Sequence, residues 1–156
     1  MIRVSIVEDD TIIRKMTASL LNSNPDIECV EVFADAEAYL QQADKLHADV
    51  VLMDIGLPGM SGIECIRRCS TEDNTVNFLI YSDHLDSVDI FDALAAGANG
   101  YVLKGQPIEK LADAIRDVQA GSSPMSSEIS RMVTSYFRRT QSLHPDFEKL
   151  TTQEWE

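Results

Sequence analysis

Short apolar runs rich in Val and Ile alternate along this chain with stretches in which apolar residues recur every three or four positions. The runs are Ile2 to Val7, Ile27 to Phe33, Asp49 to Met53, Val76 to Tyr81 and Asn99 to Leu103. Such alternation of strand and helix periods is the signature of βαβ units. Between the runs, Ile13, Met16 and Leu20 mark one helical stripe, and Tyr39, Leu40 and Ala43 a second. Ile63 and Ile66, then Phe91, Leu94 and Ala95, continue the series. The fifth helix has the cleanest stripe, Ile108, Leu111, Ile115 and Val118, with Pro107 at its start and Gly121 past its end. The pattern predicts an α/β fold, a doubly wound (βα)5 parallel sheet of flavodoxin-like topology with helices on both faces.

After Gly121 the periodicity breaks in a polar stretch, Ser122, Ser123, Pro124, Ser126 and Ser127. Ile129, Met132, Val133 and Tyr136 then predict one more amphipathic helix, ending near Arg138 and Arg139, followed by a linker from Gln141 to Glu148. The expected organisation is one domain over 1–121, a linker with one helix over 122–149, and the start of a further unit over 150–156.

Charge narrows the function. The chain has 156 residues and a net charge of −13. The acid is concentrated before Gly121, where 9 Lys and Arg face 21 Asp and Glu. Phosphate backbones would be repelled by that part, so any DNA contact is expected to come from elsewhere. No leader-like segment follows Met1 and no apolar run approaches membrane-spanning length, so a cytoplasmic protein without a membrane partner is expected. Cys29, Cys65 and Cys69 are an odd number in a chain with no leader-like segment, which argues against a disulfide framework, and Cys65 and Cys69 at i, i+4 have no third or fourth Cys or His partner in a metal spacing, which favours a structural role.

The chemistry sits where strands end. Glu8, Asp9 and Asp10 close the first run, Asp54 the third, Ser82 the fourth and Lys104 the fifth. In an open parallel sheet the crevice outside the carboxyl ends of the strands gathers such residues. Packed acids repel one another, and a hard divalent cation with oxygen preference, Mg²⁺, would neutralise them and leave Asp54 available as a nucleophile. Each acid alone could instead be a helix cap, Asp10 before Thr11 above all. His47 and His84 are expected at the surface, without catalytic or metal partners.

At these residues the sequence resembles the receiver domain of bacterial two-component response regulators, over Met1 to about Gly121. The matching stretches are Val7-Glu8-Asp9-Asp10, Met53-Asp54-Ile55-Gly56-Leu57-Pro58-Gly59-Met60-Ser61-Gly62, the strand end at Ser82, and Gly100-Tyr101-Val102-Leu103-Lys104. The resemblance implies that Asp54 accepts a phosphoryl group from a histidine kinase or phosphotransfer protein. Mg²⁺ would be held by Asp9, Asp54 and the Gly56 carbonyl, with Glu8 acting through water. Lys104 and Ser82 would contact the phosphoryl oxygens, and Tyr101 would be the switch aromatic, turning inward. The implied role is a switch whose only chemistry is its own phosphorylation and dephosphorylation. Leu150-Thr151-Thr152-Gln153-Glu154-Trp155-Glu156 looks like the opening of the LuxR-type helix-turn-helix domain of the NarL/FixJ group, and Gly105 after Lys104 suits that group. It implies transcription control through a DNA-binding domain mostly beyond these residues. It also implies a phosphorylation-dependent homodimer through the first and fifth helices, where Ile13, Ile108, Leu111 and Ile115 lie.

Two positions depart from the family pattern. Asp83 stands where a small residue is usual, and either opposes an incoming anion or points to solvent and caps the fourth helix or its preceding turn; Gly56 lacks a side chain that often shapes access. Other readings are weaker on the residues. An aspartyl-phosphate phosphatase needs an acid two residues after the nucleophile, where Gly56 stands, and an FMN carrier needs a phosphate loop where Glu8-Asp9-Asp10 would repel phosphate. The competing function is a stand-alone receiver acting as a phosphorelay or protein-interaction switch.

Overall fold

The computed structural model describes residues 1–71 and 74–143. The expected start of a further unit at 150–156, and the end of the linker, lie outside the described residues. Five strands, β1 (Ile2–Val7), β2 (Ile27–Phe33), β3 (Val50–Met53), β4 (Asn77–Ser82) and β5 (Gly100–Leu103), alternate with α1 (Thr11–Asn22), α2 (Ala36–Gln42), α3 (Gly62–Cys69), α4 (Ser87–Ala96) and α5 (Ile108–Gln119). A sixth helix, α6 (Ser127–Leu143), follows. The strands form one parallel sheet in the order β2-β1-β3-β4-β5, the doubly wound topology.

Central strands of such a sheet are covered on both sides and read as unbroken apolar runs. In β3 the alternation is shared between two cores. Val51 and Met53 pack with α2, α3 and α4, while Val50 and Leu52 pack with α1 and α5. Side-chain oxygens cap four helix starts: Asp10 for α1, Asp35 for α2, Ser61 for α3 and Asp86 for α4. The expected N-cap at Asp10 is present, its carboxylate accepting from the Ile12 and Ile13 amides at 2.9 and 3.0 Å.

Several expected boundaries and faces move. Asp49 lies before β3, where its carboxylate accepts the Arg3 amide at 2.9 Å, and Val76 lies before β4, its amide donating to the Asn74 side chain at 2.9 Å. Asn99 precedes β5, accepting the Phe78 amide through its side chain at 2.9 Å. On α1 the expected inward stripe of Ile13, Met16 and Leu20 is displaced. Thr17 and Leu21 are buried, Ile13 is half-buried, and Ile12, Met16 and Leu20 form an exposed row. On α4 the buried residues are Ile90, Ala93 and Ala96, one position off the expected Phe91, Leu94 and Ala95, because the Phe91 ring is occupied by α6.

The helix after the polar break extends to Leu143 and does not end near Arg139. It lies against α4, and Ile129 is fully buried in the core on that side. The polar break itself is ordered along β5: the Tyr101 amide donates to the Pro124 carbonyl at 2.9 Å and the Ser126 amide to the Tyr101 carbonyl at 3.0 Å. Gly100 permits this approach, since a Cβ there would lie 2.5 Å from the Pro124 oxygen. Among the described residues no helix is long and apolar enough to cross a membrane.

Candidate functional site

Strand register builds the site. Val7 of β1 pairs with Met53 of β3, so the next residues, Glu8 and Asp54, emerge side by side at the point where the strand order reverses. Met53 pairs with Ile80 of β4, and Ser82 pairs with Leu103, which brings Ser82 and Lys104 to the same edge. The Lys104 amide donates to the Ser82 carbonyl at 2.8 Å, fixing the base of the lysine. Its side chain then reaches across three strands. The ammonium donates to Glu8 Oε1 and, at 3.2 Å, to Asp54 Oδ2, with both carboxylates nearly enclosed. The α3 start closes the other side, and Gly62 is required there because a Cβ would run into the Asp54 carbonyl oxygen.

Carboxylate oxygens of Glu8, Asp9 and Asp54 lie within 4.8 Å of one another, Asp9 being the exposed member. This is the one candidate metal-binding cluster among the described residues. Cys65 and Cys69 are free thiols on α3, the first buried.

The electrostatics divide the two enclosed acids. Burial pushes Glu8 up to about 7, outweighing the pull of Lys104, and the neighbouring Asp54 adds to the rise. Asp54 also meets a large burial penalty, but Lys104, Glu8 and the Ser82 hydroxyl together hold its carboxyl below the usual range. Lys104 is disfavoured by burial too, yet the two carboxylates raise it above its ordinary value, so it remains an ammonium. Asp54 is therefore the more readily ionised acid of the pair, with a fixed cation beside it.

Ser82 is fully buried, and its oxygen accepts the His84 amide at 3.3 Å. Tyr101 is fully buried as well, with its ring turned inward and its hydroxyl donating to the His84 carbonyl at 2.9 Å. His84, expected at the surface, is half-buried. Its imidazole lies over Gly56, where a Cβ would meet Cε1 at 3.1 Å, and its buried Nδ1 has no hydrogen-bond partner. The ring fills the space that a side chain at 56 would take. No sequence signal pairs these positions, because only the fold brings the β3–α3 and β4–α4 loops together. His47 is exposed as expected, and its carbonyl accepts Arg3 Nε at 2.8 Å. Asp83 is exposed and does not cap α4; Asp86 does, accepting the Val88 amide at 2.8 Å.

A doubly wound parallel sheet whose carboxyl edge gathers three acids, a serine and a lysine defines a receiver. The chain belongs to the response regulator receiver domain family, which matches residues 4–116. Several of its relatives are LuxR/NarL-family response regulators, while another is a protein-glutamate methylesterase/protein-glutamine glutaminase. It is 31% identical over 156 residues to the transcriptional regulatory protein LiaR of Bacillus subtilis (strain 168), covering all of this chain and 74% of that protein. It is 32% identical over 129 residues to the nitrate/nitrite response regulator protein NarP of Escherichia coli (strain K12), covering 83% of this chain and 60% of that protein. The crystal structure of a LuxR-family two-component response regulator from Aurantimonas sp. SI85-9A1 superposes with a TM-score of 0.80 at 32% identity, covering 86% of this chain and 96% of that one.

Proposed function

We propose that the chain is a cytoplasmic phosphorylation switch in which Asp54 accepts a phosphoryl group from the phosphohistidine of a histidine kinase or phosphotransfer protein. The observation that carries this reading is the Lys104 ammonium bridging Glu8 and Asp54 beside the exposed Asp9. Transfer forms a bond from an Asp54 carboxylate oxygen to phosphorus as the bond from phosphorus to the donor nitrogen breaks, the electron pair leaving with the imidazole. Lys104 stabilises charge on the transferring oxygens, and the Ser82 hydroxyl, already beside Asp54, donates to one of them.

The donor set suits Mg²⁺: all the ligand atoms are oxygens, and three acids facing one ammonium leave excess negative charge for a hard cation. Asp9, Asp54 and the Gly56 carbonyl would hold the ion, with Glu8 acting through water. When bound, Mg²⁺ supplies further neutralisation of the phosphoryl oxygens. Tyr101, by its inward position and its bond to the His84 carbonyl, reports the state of the Ser82 loop. The relative LiaR is a transcriptional regulatory protein, and the output proposed for this chain is likewise transcription control, through homodimerisation on phosphorylation and a C-terminal DNA-binding domain.

Of the apolar residues on α1 and α5, some face the sheet and are not available to a second copy. Leu111 and Ile115 are buried in the core, whereas Ile12, Met16 and Leu20 are exposed. Met16 and Leu20 flank a 250 Å³ groove that reaches Ile108 and Gln106 at the head of α5. A second copy would bury that row.

The test is labelling by a small phosphodonor with Mg²⁺. Asp54→Asn abolishes it while the fold persists by circular dichroism; labelling of the variant at full stoichiometry overturns the assignment.

A further inference from the structure

Tyr101 is gripped at three places, and only one of them lies on the loop that leaves the candidate site. Its hydroxyl binds the His84 carbonyl, on the loop that carries Ser82. Its main-chain amide and carbonyl bind Pro124 and Ser126, and Met125 pairs with it as an added parallel bridge along the outer edge of β5. The Leu103 amide also donates to the Ser126 hydroxyl oxygen at 3.0 Å.

Beyond this strap, α6 continues the cover. Ile129 is fully buried in the apolar cluster that contains Tyr101, and Met125, Met132 and Val133 pack on the same cluster. Farther along, the Tyr136 ring lies on Phe91 of α4 with centroids 4.0 Å apart, and Phe137 meets Phe91 edge-on at 5.8 Å. To leave the interior, the Tyr101 ring must swing past β5, over the edge that Met125 and Ile129 cover.

We infer that the segment 124–140 is a latch: α6 is the chain's own occupant of the α4–β5 face, and its docking holds Tyr101 inward. Anything that releases the helix releases the ring. By reciprocity, a group that favours the inward ring at the site tightens α6 on α4. That second half rests on Asp54 being the phosphoacceptor; the first does not.

The test uses the full chain labelled with 3-fluorotyrosine, with Tyr101→Phe assigning the Tyr101 line in ¹⁹F NMR. Ile129→Asp puts a carboxylate into the apolar cluster, and Tyr136→Ser removes a half-exposed ring without touching the core, so it decides the matter if Ile129→Asp does not fold. Both variants are expected to speed amide exchange along α6 and to give the Tyr101 line the solvent isotope shift of an exposed ring. Faster exchange in α6 with the Tyr101 line unchanged overturns the latch, and so does exchange in α6 that stays slow in both variants. With Mg²⁺ and beryllofluoride, the wild type is expected to slow exchange in α6, and the variants to bind the mimic about 5-fold or more weakly. Equal affinity in wild type and variants overturns the coupling. A wild type that does not bind beryllofluoride counts against the Asp54 reading, while the latch is still judged on the Tyr101 line.

Discussion

Helices α1 and α5 lie on the same face of the sheet and follow the two residues that meet at the site, Glu8 and Lys104, yet they use their apolar residues in opposite ways. In α5, Leu111, Ile115 and Val118 are buried, and Arg116 ties its far end back to the loop after α1, with Nε 2.7 Å from Asp26 and a second nitrogen 3.0 Å from Asn24. In α1 the inward positions go to Thr17 and Leu21, and the row Ile12, Met16 and Leu20 faces out. Two stripes of similar period thus do different work. One holds the domain together; the other is left exposed.

The largest expected effect is on the buried side of this contrast. Ile115→Ala should lower the unfolding free energy by about 2–5 kcal/mol, read by urea denaturation, because the cavity lies in a fully packed core. A loss under about 0.5 kcal/mol would show that α5 is no better anchored than the exposed row of α1.

The heads of the two helices provide the next test. The folded pKa of Glu8 is raised from 4.5 to about 7, so between those values the unfolded chain loses its proton before the folded one does. The folded state then binds more protons, and its stability falls as pH rises through that window. With chelator present, the metal-free chain should lose about 1–3 kcal/mol from this source across the window, and Glu8→Gln should flatten the slope. An equally steep slope in the variant would show that another group governs it.

The smallest effect on stability belongs to the exposed row. Met16→Ser should change the unfolding free energy by no more than about 0.5 kcal/mol. It should nevertheless weaken association of the phosphorylated or beryllofluoride-bound chain, measured by sedimentation. Unchanged association would remove the row from the dimer surface.

Much of the site could be read along the chain because strand ends in a parallel sheet converge by topology. Glu8, Asp9, Asp54, Ser82 and Lys104 needed only five apolar runs and their closing residues to be brought to one edge. His84 over Gly56 was not legible in this way, since neither residue belongs to a periodic pattern and their contact joins two loops. The same holds for Pro124 to Ser126: a serine-rich break reads as linker, but its backbone groups satisfy the free edge of β5.

The order of strands and helices, the identity of the acids and the lysine at the carboxyl edge, and the Asp10 cap that starts α1 were determined by the amino-acid sequence itself. Each depends on local spacing, on the backbone, or on a rule of topology. Which face of α1 and of α4 is buried, and that α6 belongs to the core, only the tertiary structure decided. Periodicity reveals that a helix has an apolar side but carries no information about what lies opposite it. Phe91 turns from the sheet to meet Tyr136, and Met16 stays in solvent, because burial depends on a neighbouring surface that the helix's own residues do not encode.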